Sequence, residues 1–145
     1  MIKVFIDQGH NPTNPNAGAE GSGLREQDLV YEIGIRLADL LNSDPEFDAR
    51  LSRNSPSEIL GETTAQSLRA RTDAANSWGA DIFISLHANA STISSASGNE
   101  GLVYKIPSAA YTLSEDILTE LSLATGLQDR GTTARPGLYV LRKTT

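Results

Sequence analysis

The chain has 145 residues, a formal net charge of −6 at pH 7 and an ordinary share of apolar and charged side chains, which fits one globular domain with its own core. The negative charge argues against a general nucleic-acid binder, because neutralising phosphates requires a basic surface. The chain has no cysteine, which excludes disulfides and thiolate metal sites. It also lacks a membrane-length apolar run and a recognisable signal peptide.

The N-terminal quarter of the chain predicts a strand, a long loop and a helix. Residues 2–6 form an apolar run that is typical of a buried strand. Residues 7–24 are rich in Gly, Asn and Pro and predict a loop, and loops of this length within a domain are usually functional. A helix is predicted over residues 24–42, because apolar residues recur there at helical spacing. The residues predicted to face inward are Leu29, Ile33, Leu37, Leu40 and Leu41.

The middle of the chain predicts two strands on either side of a helix. Alternation of apolar and polar residues over 47–52 predicts a half-exposed strand. A second helix is predicted from Thr63 to Trp78, with Gly79 ending it. Its predicted inner residues are Leu68, Thr72, Ala75 and Trp78. The continuous apolar run from Asp81 to His87 predicts a central strand that is covered on both faces.

The last third predicts a strand over residues 101–106, a helix from Pro107 to about Thr125 and a fifth strand over 138–142. The helix is expected to turn Leu113, Ile117 and Leu121 inward. The whole order, β-α-β-α-β-β-α-β, predicts an α/β fold. We expect a single-domain, twisted, mixed and mainly parallel sheet of about five strands, flanked by helices on both faces.

The two histidines of the chain, His10 and His87, each lie at or just beyond the end of a predicted buried strand. Open α/β sheets bind ligands outside the carboxyl ends of their strands. A zinc site that acts on a substrate uses three protein ligands and one open position, so the pattern predicts a metal site there. Any of the 18 acidic residues could be the third ligand. Glu26 is favoured because the loop after the first strand ends there and can return it to His10. The alternative is two ordinary hydrogen-bonded histidines.

Four other polar residues are candidates for supporting roles near these histidines. Asp7 and Asn89 lie close to them in the chain and are expected to orient the imidazoles, with turn formation or strand-end capping as the alternative. Arg53 and Arg71 are candidates to bind an anionic substrate, with a solvated surface position as the alternative.

A set of motifs runs in order along essentially the whole chain. Together they resemble the zinc-dependent N-acetylmuramoyl-L-alanine amidases of the amidase-3 type, and the ordered set is specific although no single motif is. The motifs are Asp7-Gln8-Gly9-His10, Gly18-Ala19, Gly21, Glu26, Arg53, the run from Arg71 to Asn76, the run from Asp81 to Ala90, Gly101 to Tyr104, Asp129-Arg130-Gly131 and Leu138 to Arg142.

The resemblance implies that His10, Glu26 and His87 bind Zn²⁺. It implies hydrolysis of the amide between N-acetylmuramic acid and the L-alanine of the peptidoglycan stem peptide, as in autolysins and endolysins. Peptidoglycan is then the partner, and the location is extracellular, in the cell wall or in the periplasm. Arg53, Arg71 and Asn89 become the expected substrate-binding residues.

The chain departs from the family pattern at its C-terminal end. The family's catalytic glutamate is expected beyond Thr145, so the catalytic residue is unknown and the domain, residues 1–145, is expected to lack a C-terminal strand and helix. Two alternatives stay open: a zinc carboxypeptidase that acts on stem peptides, and a cell-wall binding fragment without complete catalysis.

Overall fold

The structure, a computed structural model, describes residues 1–89, 91 and 95–145. They group into two compact units, Met1–Ala90 with Thr144–Thr145 and Ser91–Lys143. Ala90, which ends one of the motifs above, lies outside the described residues. None of the helices in the described part of the chain combines the length and apolar content that a bilayer crossing requires. Parallel strands and flanking helices make the fold α/β, as predicted.

The first unit is built on a three-stranded parallel sheet. Its elements in chain order are β1 (Ile2–Gln8), β2 (Glu20–Gly21), β3 (Leu24–Arg25), α1 (Glu26–Asn42), β4 (Phe47–Leu51), α2 (Thr64–Trp78) and β5 (Ile82–Leu86). The sheet has the order β4-β1-β5, and β2 and β3 form a short antiparallel pair. The most buried of the three strands, β1, takes the middle position. The prediction of a central strand over residues 81–87 is wrong, because β5 lies at one end of this three-stranded sheet and is half-buried.

Helices pack on both faces of β1, as the alternation of its side chains dictates. Val4 and Ile6 point to one face and form a buried cluster with Ala38 of α1. Phe5 points to the other face, where its ring centroid lies 6.4 Å from that of Trp78 in α2. Each helix is thereby held against the sheet by burial of apolar surface.

The predicted inner face of α1 is confirmed at Leu37 and Leu41, which pack against the core cluster, and is wrong at Leu29, Ile33 and Leu40, which are exposed. Leu40 is 70% exposed and Ile33 is 54% exposed. Gly34 lies on the buried face instead, and a Cβ added to it would lie 2.5 Å from Cγ of Gln8. A small residue at this position allows the helix to approach the strand closely. The buried residues of α1 are Glu26, Gln27, Val30, Tyr31, Gly34 and Ala38.

The second unit contains β6 (Asn99–Val103), α3 (Ala109–Thr125), β7 (Asp129–Ala134) and α4 (Tyr139–Lys143). Strands β6 and β7 are parallel, so the five longer strands form a three-stranded and a two-stranded sheet. The predicted inner face of α3 is wrong at Leu121, which is 41% exposed. Leu113 and Ile117 are half-buried, and Leu118 is the buried residue of this helix.

The strand predicted over 138–142 is wrong, because this segment is the helix α4. Pro136 and Gly137 turn the chain before it, and Arg142 donates its backbone N–H to the carbonyl of Leu138 in a helical bond of 3.0 Å. Five apolar or long side chains in a row fit either structure, since so short a run has no decisive period. The last of the five longer strands is instead β7, and the polar sequence of this segment did not predict a strand.

The close contact at Gly34 predicts that replacing it with alanine destabilises the protein. Helix propensity alone favours alanine by about 1 kcal/mol. The added methyl group would meet Gln8, whose amide is fixed by bonds to the Tyr31 carbonyl and the Arg53 backbone N–H. Overpacking of this kind costs about 1–3 kcal/mol, so we expect a lower free energy of unfolding for Gly34→Ala in urea titration. Glu32→Ala, at an exposed position of the same helix, is the control and is expected to stay within about 0.5 kcal/mol of the wild type.

Candidate metal centre

The three predicted ligands come together at one edge of the three-stranded sheet. His10 lies two residues beyond β1, His87 directly follows β5, and Glu26 is the first residue of α1. Strands β1 and β5 are parallel and in register up to Gln8 and Leu86. The backbone N–H of Gly9 extends this pairing with a 3.0 Å bond to the carbonyl of Leu86. Both histidines therefore leave the sheet at the same level.

The ligand atoms form a nearly equilateral triangle. Oε1 of Glu26 lies 3.3 Å from Nε2 of His10 and 3.2 Å from Nδ1 of His87. The two imidazole nitrogens are 3.2 Å apart. Zinc bonds of about 2.0–2.1 Å in a tetrahedral site separate the ligand atoms by about 3.3–3.4 Å. The triangle thus fits one face of a zinc tetrahedron, and it is the one such His/Cys/Asp/Glu cluster among the described residues.

Glu26 is held as an anion by backbone groups. Its Oε2 accepts the N–H of Ala19 at 3.1 Å, and its Oε1 accepts the N–H of Ala88 at 2.9 Å. Burial raises the pKa of Glu26, but these two N–H groups and the nearby charges of His10 and His87 outweigh it, and the pKa is lowered overall. Its place in the first turn of α1 also suits a negative charge.

His87 is held in the neutral form that metal binding requires. Burial, followed by the neighbouring His10 imidazole, lowers the pKa of His87, and the opposing influence of Asp7 and Glu26 does not restore it. The side chain is nevertheless 40% exposed, so the site is open to solvent on the side of this imidazole. An open side is what a substrate-binding metal site needs.

Two glycines of the site provide space that a side chain would fill. A Cβ on Gly9 would lie 2.5 Å from Cε1 of His87 and 2.6 Å from the carbonyl oxygen of Leu86. A Cβ on Gly18 would lie 3.0 Å from Cδ2 of His10 and 3.1 Å from Cβ of Glu26. The absence of a side chain at Gly9 and Gly18 therefore leaves room for the predicted ligand side chains to lie close to the backbone of these two glycines.

His10 has a left-handed backbone, with φ of 67°. This conformation is uncommon outside glycine and persists where the surroundings hold it. The carbonyl oxygen of His10 accepts Nη2 of Arg71 at 2.8 Å and Nη1 of Arg53 at 3.4 Å. Two guanidinium groups therefore bind the backbone of a ligand residue.

The burial of both arginines does not favour the predicted substrate-binding role. Arg53 is 0% and Arg71 is 1% exposed, so neither presents a surface to a substrate. Arg71 pairs with Asp7 at 2.7 Å, and Asp7 therefore contacts a guanidinium group rather than an imidazole in this network. Burial and then the charge of Arg71 lower the pKa of Arg53. Asn89 is exposed two residues after His87.

Several buried polar residues around the site were missed by sequence reasoning. The side chain of Asn11 donates to the carbonyls of Pro15 and Leu60 and accepts the N–H of Leu60, which ties two loops together. Gln8 receives the backbone N–H of Arg53. A usable signal was present at Gln8, a polar residue that ends an otherwise apolar strand.

Comparison with known proteins gives a family match over nearly the whole chain. The family described as N-acetylmuramoyl-L-alanine amidase matches residues 4–145. A sporulation-specific N-acetylmuramoyl-L-alanine amidase of Bacillus subtilis is 36% identical over 133 residues, which are 90% of this chain and 48% of that protein. The N-acetylmuramoyl-L-alanine amidase CwlM of Bacillus licheniformis is 37% identical over 146 residues, which are 99% of this chain and 53% of that protein. The chain thus spans about half the length of these curated relatives.

Solved structures agree with the sequence comparison. The catalytic domain of CwlV, an N-acetylmuramoyl-L-alanine amidase from Paenibacillus polymyxa, matches with a TM-score of 0.82 at 28% identity, over 100% of this chain and 75% of that one. An N-acetylmuramoyl-L-alanine amidase from Clostridium difficile matches with a TM-score of 0.85 at 26% identity, over 99% of this chain and 74% of that one.

The space at Gly9 predicts that Gly9→Ala weakens metal binding. The methyl group would collide with the Leu86 carbonyl, which cannot rotate away, and would displace His87. We expect the affinity for Zn²⁺ to fall by about 10- to 100-fold, as for loss of a group that orients a ligand, in a chelator-competition titration. Gly21→Ala is the matched control, because a Cβ at Gly21 meets nothing within 4 Å. Equal affinities for the two variants would contradict the steric argument.

Proposed function

Because the chain belongs to the N-acetylmuramoyl-L-alanine amidase family, we propose that it is part of a zinc amidase that hydrolyses the bond between N-acetylmuramic acid and L-alanine of the stem peptide. The observation that supports the proposal most directly is the triangle of ligand atoms from His10, Glu26 and His87, with edges of 3.2–3.3 Å. We assign residues 1–145 to the catalytic domain of this enzyme.

Zinc is the metal that we propose for this site. The set of two imidazoles and one carboxylate is a known ligand set of catalytic zinc, and it contains no thiolate that would favour softer metals. A zinc ion bound there would polarise the scissile carbonyl and lower the pKa of a bound water. His10 contributes Nε2 and His87 contributes Nδ1, and both must be neutral to act as ligands.

Glu26 is suited to hold the metal and unsuited to carry the proton. Both of its oxygens accept backbone N–H groups, from Ala19 and Ala88. Its lowered pKa makes it a weak base, whereas a general base works best with a pKa near the operating pH. We therefore propose that the proton passes from the attacking water to the leaving amine through a carboxylate other than Glu26.

The proposed substrate sets the proposed location. Peptidoglycan lies outside the cytoplasmic membrane, and a Bacillus anthracis relative, 34% identical over 149 residues, is described as a cell wall amidase. A phage relative, 31% identical over 147 residues, is described as an endolysin. We propose that the whole protein works at the cell wall, as an autolysin or an endolysin.

The metal assignment predicts the effect of removing each ligand. His10→Ala and His87→Ala are expected to lose stoichiometric zinc, because two remaining ligands cannot hold the ion against a chelator. Glu26→Gln should bind more weakly, since it removes the one anionic ligand of the set. Zinc content by atomic emission after dialysis measures all three. Glu32→Gln, which changes an exposed carboxylate of the same helix, serves as the control. Unchanged zinc content in both histidine variants would refute the site.

The proposed reaction predicts the new chain end in the products. Digestion of purified peptidoglycan by the full-length zinc-loaded protein should release stem peptides with a free N-terminal L-alanine. Dinitrophenylation followed by amino-acid analysis detects this end, and the His10→Ala protein provides the blank. Release of a C-terminal amino acid would identify a carboxypeptidase instead. Binding to peptidoglycan without any new chain end would identify a wall-binding protein without catalysis.

A further inference from the structure

Arg71 is a buried cation that the proposed reaction does not use. It lies on α2 and is 1% exposed, yet four of its hydrogen-bond acceptors lie between residues 7 and 11. Nη1 donates to Asp7 Oδ1 at 2.7 Å and to the Gln8 carbonyl at 2.5 Å. Nη2 donates to the His10 carbonyl at 2.8 Å and to Asn11 Oδ1 at 3.1 Å. One guanidinium group thus binds the whole stretch that carries a metal ligand.

The second ring nitrogen of His10, Nδ1, does not help to fix the imidazole. A metal-binding histidine usually donates its second ring nitrogen to a carboxylate or a carbonyl, which fixes the ring. Nδ1 of His10 is buried and has no hydrogen-bond partner among the described residues. Without a bond at Nδ1, the direction of the ring depends on its backbone, which has the left-handed φ of 67° and is bound at the carbonyl by Arg71, and on the contacts of Nε2 with Glu26 and His87.

Asp7 links this arrangement to the second histidine strand. Its Oδ1 accepts Arg71, and its Oδ2 accepts the hydroxyl of Ser85 at 2.8 Å. Ser85 is the register partner of Asp7 on β5 and lies two residues before His87. The ion pair thereby connects α2, β1 and β5 beneath the two histidines.

We propose that Arg71, with Asp7, is a positioning pair that holds the backbone of His10 in the conformation that binds the metal. The proposal rests on the proposed metal site. A planar guanidinium group can direct several N–H donors to a carboxylate and to carbonyls at once, whereas a lysine ammonium cannot reproduce that fork. Arg71→Lys should therefore keep the buried charge and lose the alignment of His10.

The first experiment compares zinc affinity in Arg71→Lys and Arg69→Lys by chelator competition. Arg69 is on the same helix but exposed, and its ion pair with Asp73 is at the surface. We expect the dissociation constant of Arg71→Lys to rise by about 10- to 100-fold, with Arg69→Lys unchanged. The visible spectrum of the Co²⁺-loaded protein should also change in Arg71→Lys alone. A lower melting temperature with unchanged zinc affinity would reduce Arg71 to a structural residue and overturn the proposal.

A second experiment needs no metal and separates this proposal from the metal site itself. In the metal-free protein, amide hydrogen exchange over residues 9–11 should be faster in Arg71→Lys than in the wild type, because the Asn11 N–H bond to the Asn16 carbonyl would be less well held. Exchange in this segment that equals the wild type would overturn the positioning role. Failure of the wild type to bind zinc would instead overturn the proposed function.

Asp7→Asn provides a variant that retains the size of the side chain and an acceptor oxygen. It removes the charge that binds Arg71, and we expect zinc affinity and amide exchange at residues 9–11 to change in the same direction as in Arg71→Lys. Wild-type values for both quantities in a folded Asp7→Asn protein would contradict the role of the pair.

Discussion

The parallel pairing of β1 and β5 is the constraint on which the site depends. The two strands run in register to Gln8 and Leu86, and one further bond from Gly9 to Leu86 holds the chain just beyond the sheet. A shift of one residue would reverse the faces of every side chain on one strand and would separate the two histidines. Burial of β1 on both faces prevents such a shift, because polar residues would then enter the apolar cluster around Ile6. The geometry of the ligand triangle is therefore a consequence of the core.

Beneath the triangle, the protein buries charge instead of apolar surface. Removing one partner of a buried ion pair leaves an uncompensated charge that costs about 3–5 kcal/mol, so the pair of Arg71 and Asp7 is retained as a unit. Both groups have further hydrogen-bond partners, which is the condition under which buried ions are tolerated. A purely apolar packing of the same volume could hold α2 against the sheet. It could not donate to the carbonyl of His10, where the backbone is left-handed.

Sequence reasoning anticipated that His10, Glu26 and His87 lie together, because their positions follow from topology. Carboxyl ends of parallel strands share one edge, so His10 and His87 were expected together, and Glu26 was favoured because the loop after the first strand ends there. The sequence predictions failed where tertiary packing, and not the local spacing of apolar residues, decides which structure forms. The apolar spacing of α1 predicted Ile33 and Leu40 to face inward, but Gly34 and Ala38 are the buried residues there. The short run over 138–142 had no period that separates strand from helix. Arg71 was predicted to bind substrate, with a solvated surface position as the alternative, since nothing in a single sequence marks a helical arginine whose acceptors come from a distant strand.

The charges of the site explain how it suits a divalent cation. Arg53, Arg71, Asp7 and Glu26 are the ionised groups buried around the ligands, and two cations balance two anions. The two imidazole ligands are neutral when they bind metal. A divalent ion would thus enter surroundings without excess negative charge, and its own charge would remain available to a carbonyl oxygen or a water molecule. A site with several unpaired carboxylates would bind the ion more strongly but would weaken it as a Lewis acid. At the proposed metal site, the buried arginines would therefore contribute through the negative charge that they cancel as well as through the backbone that they hold.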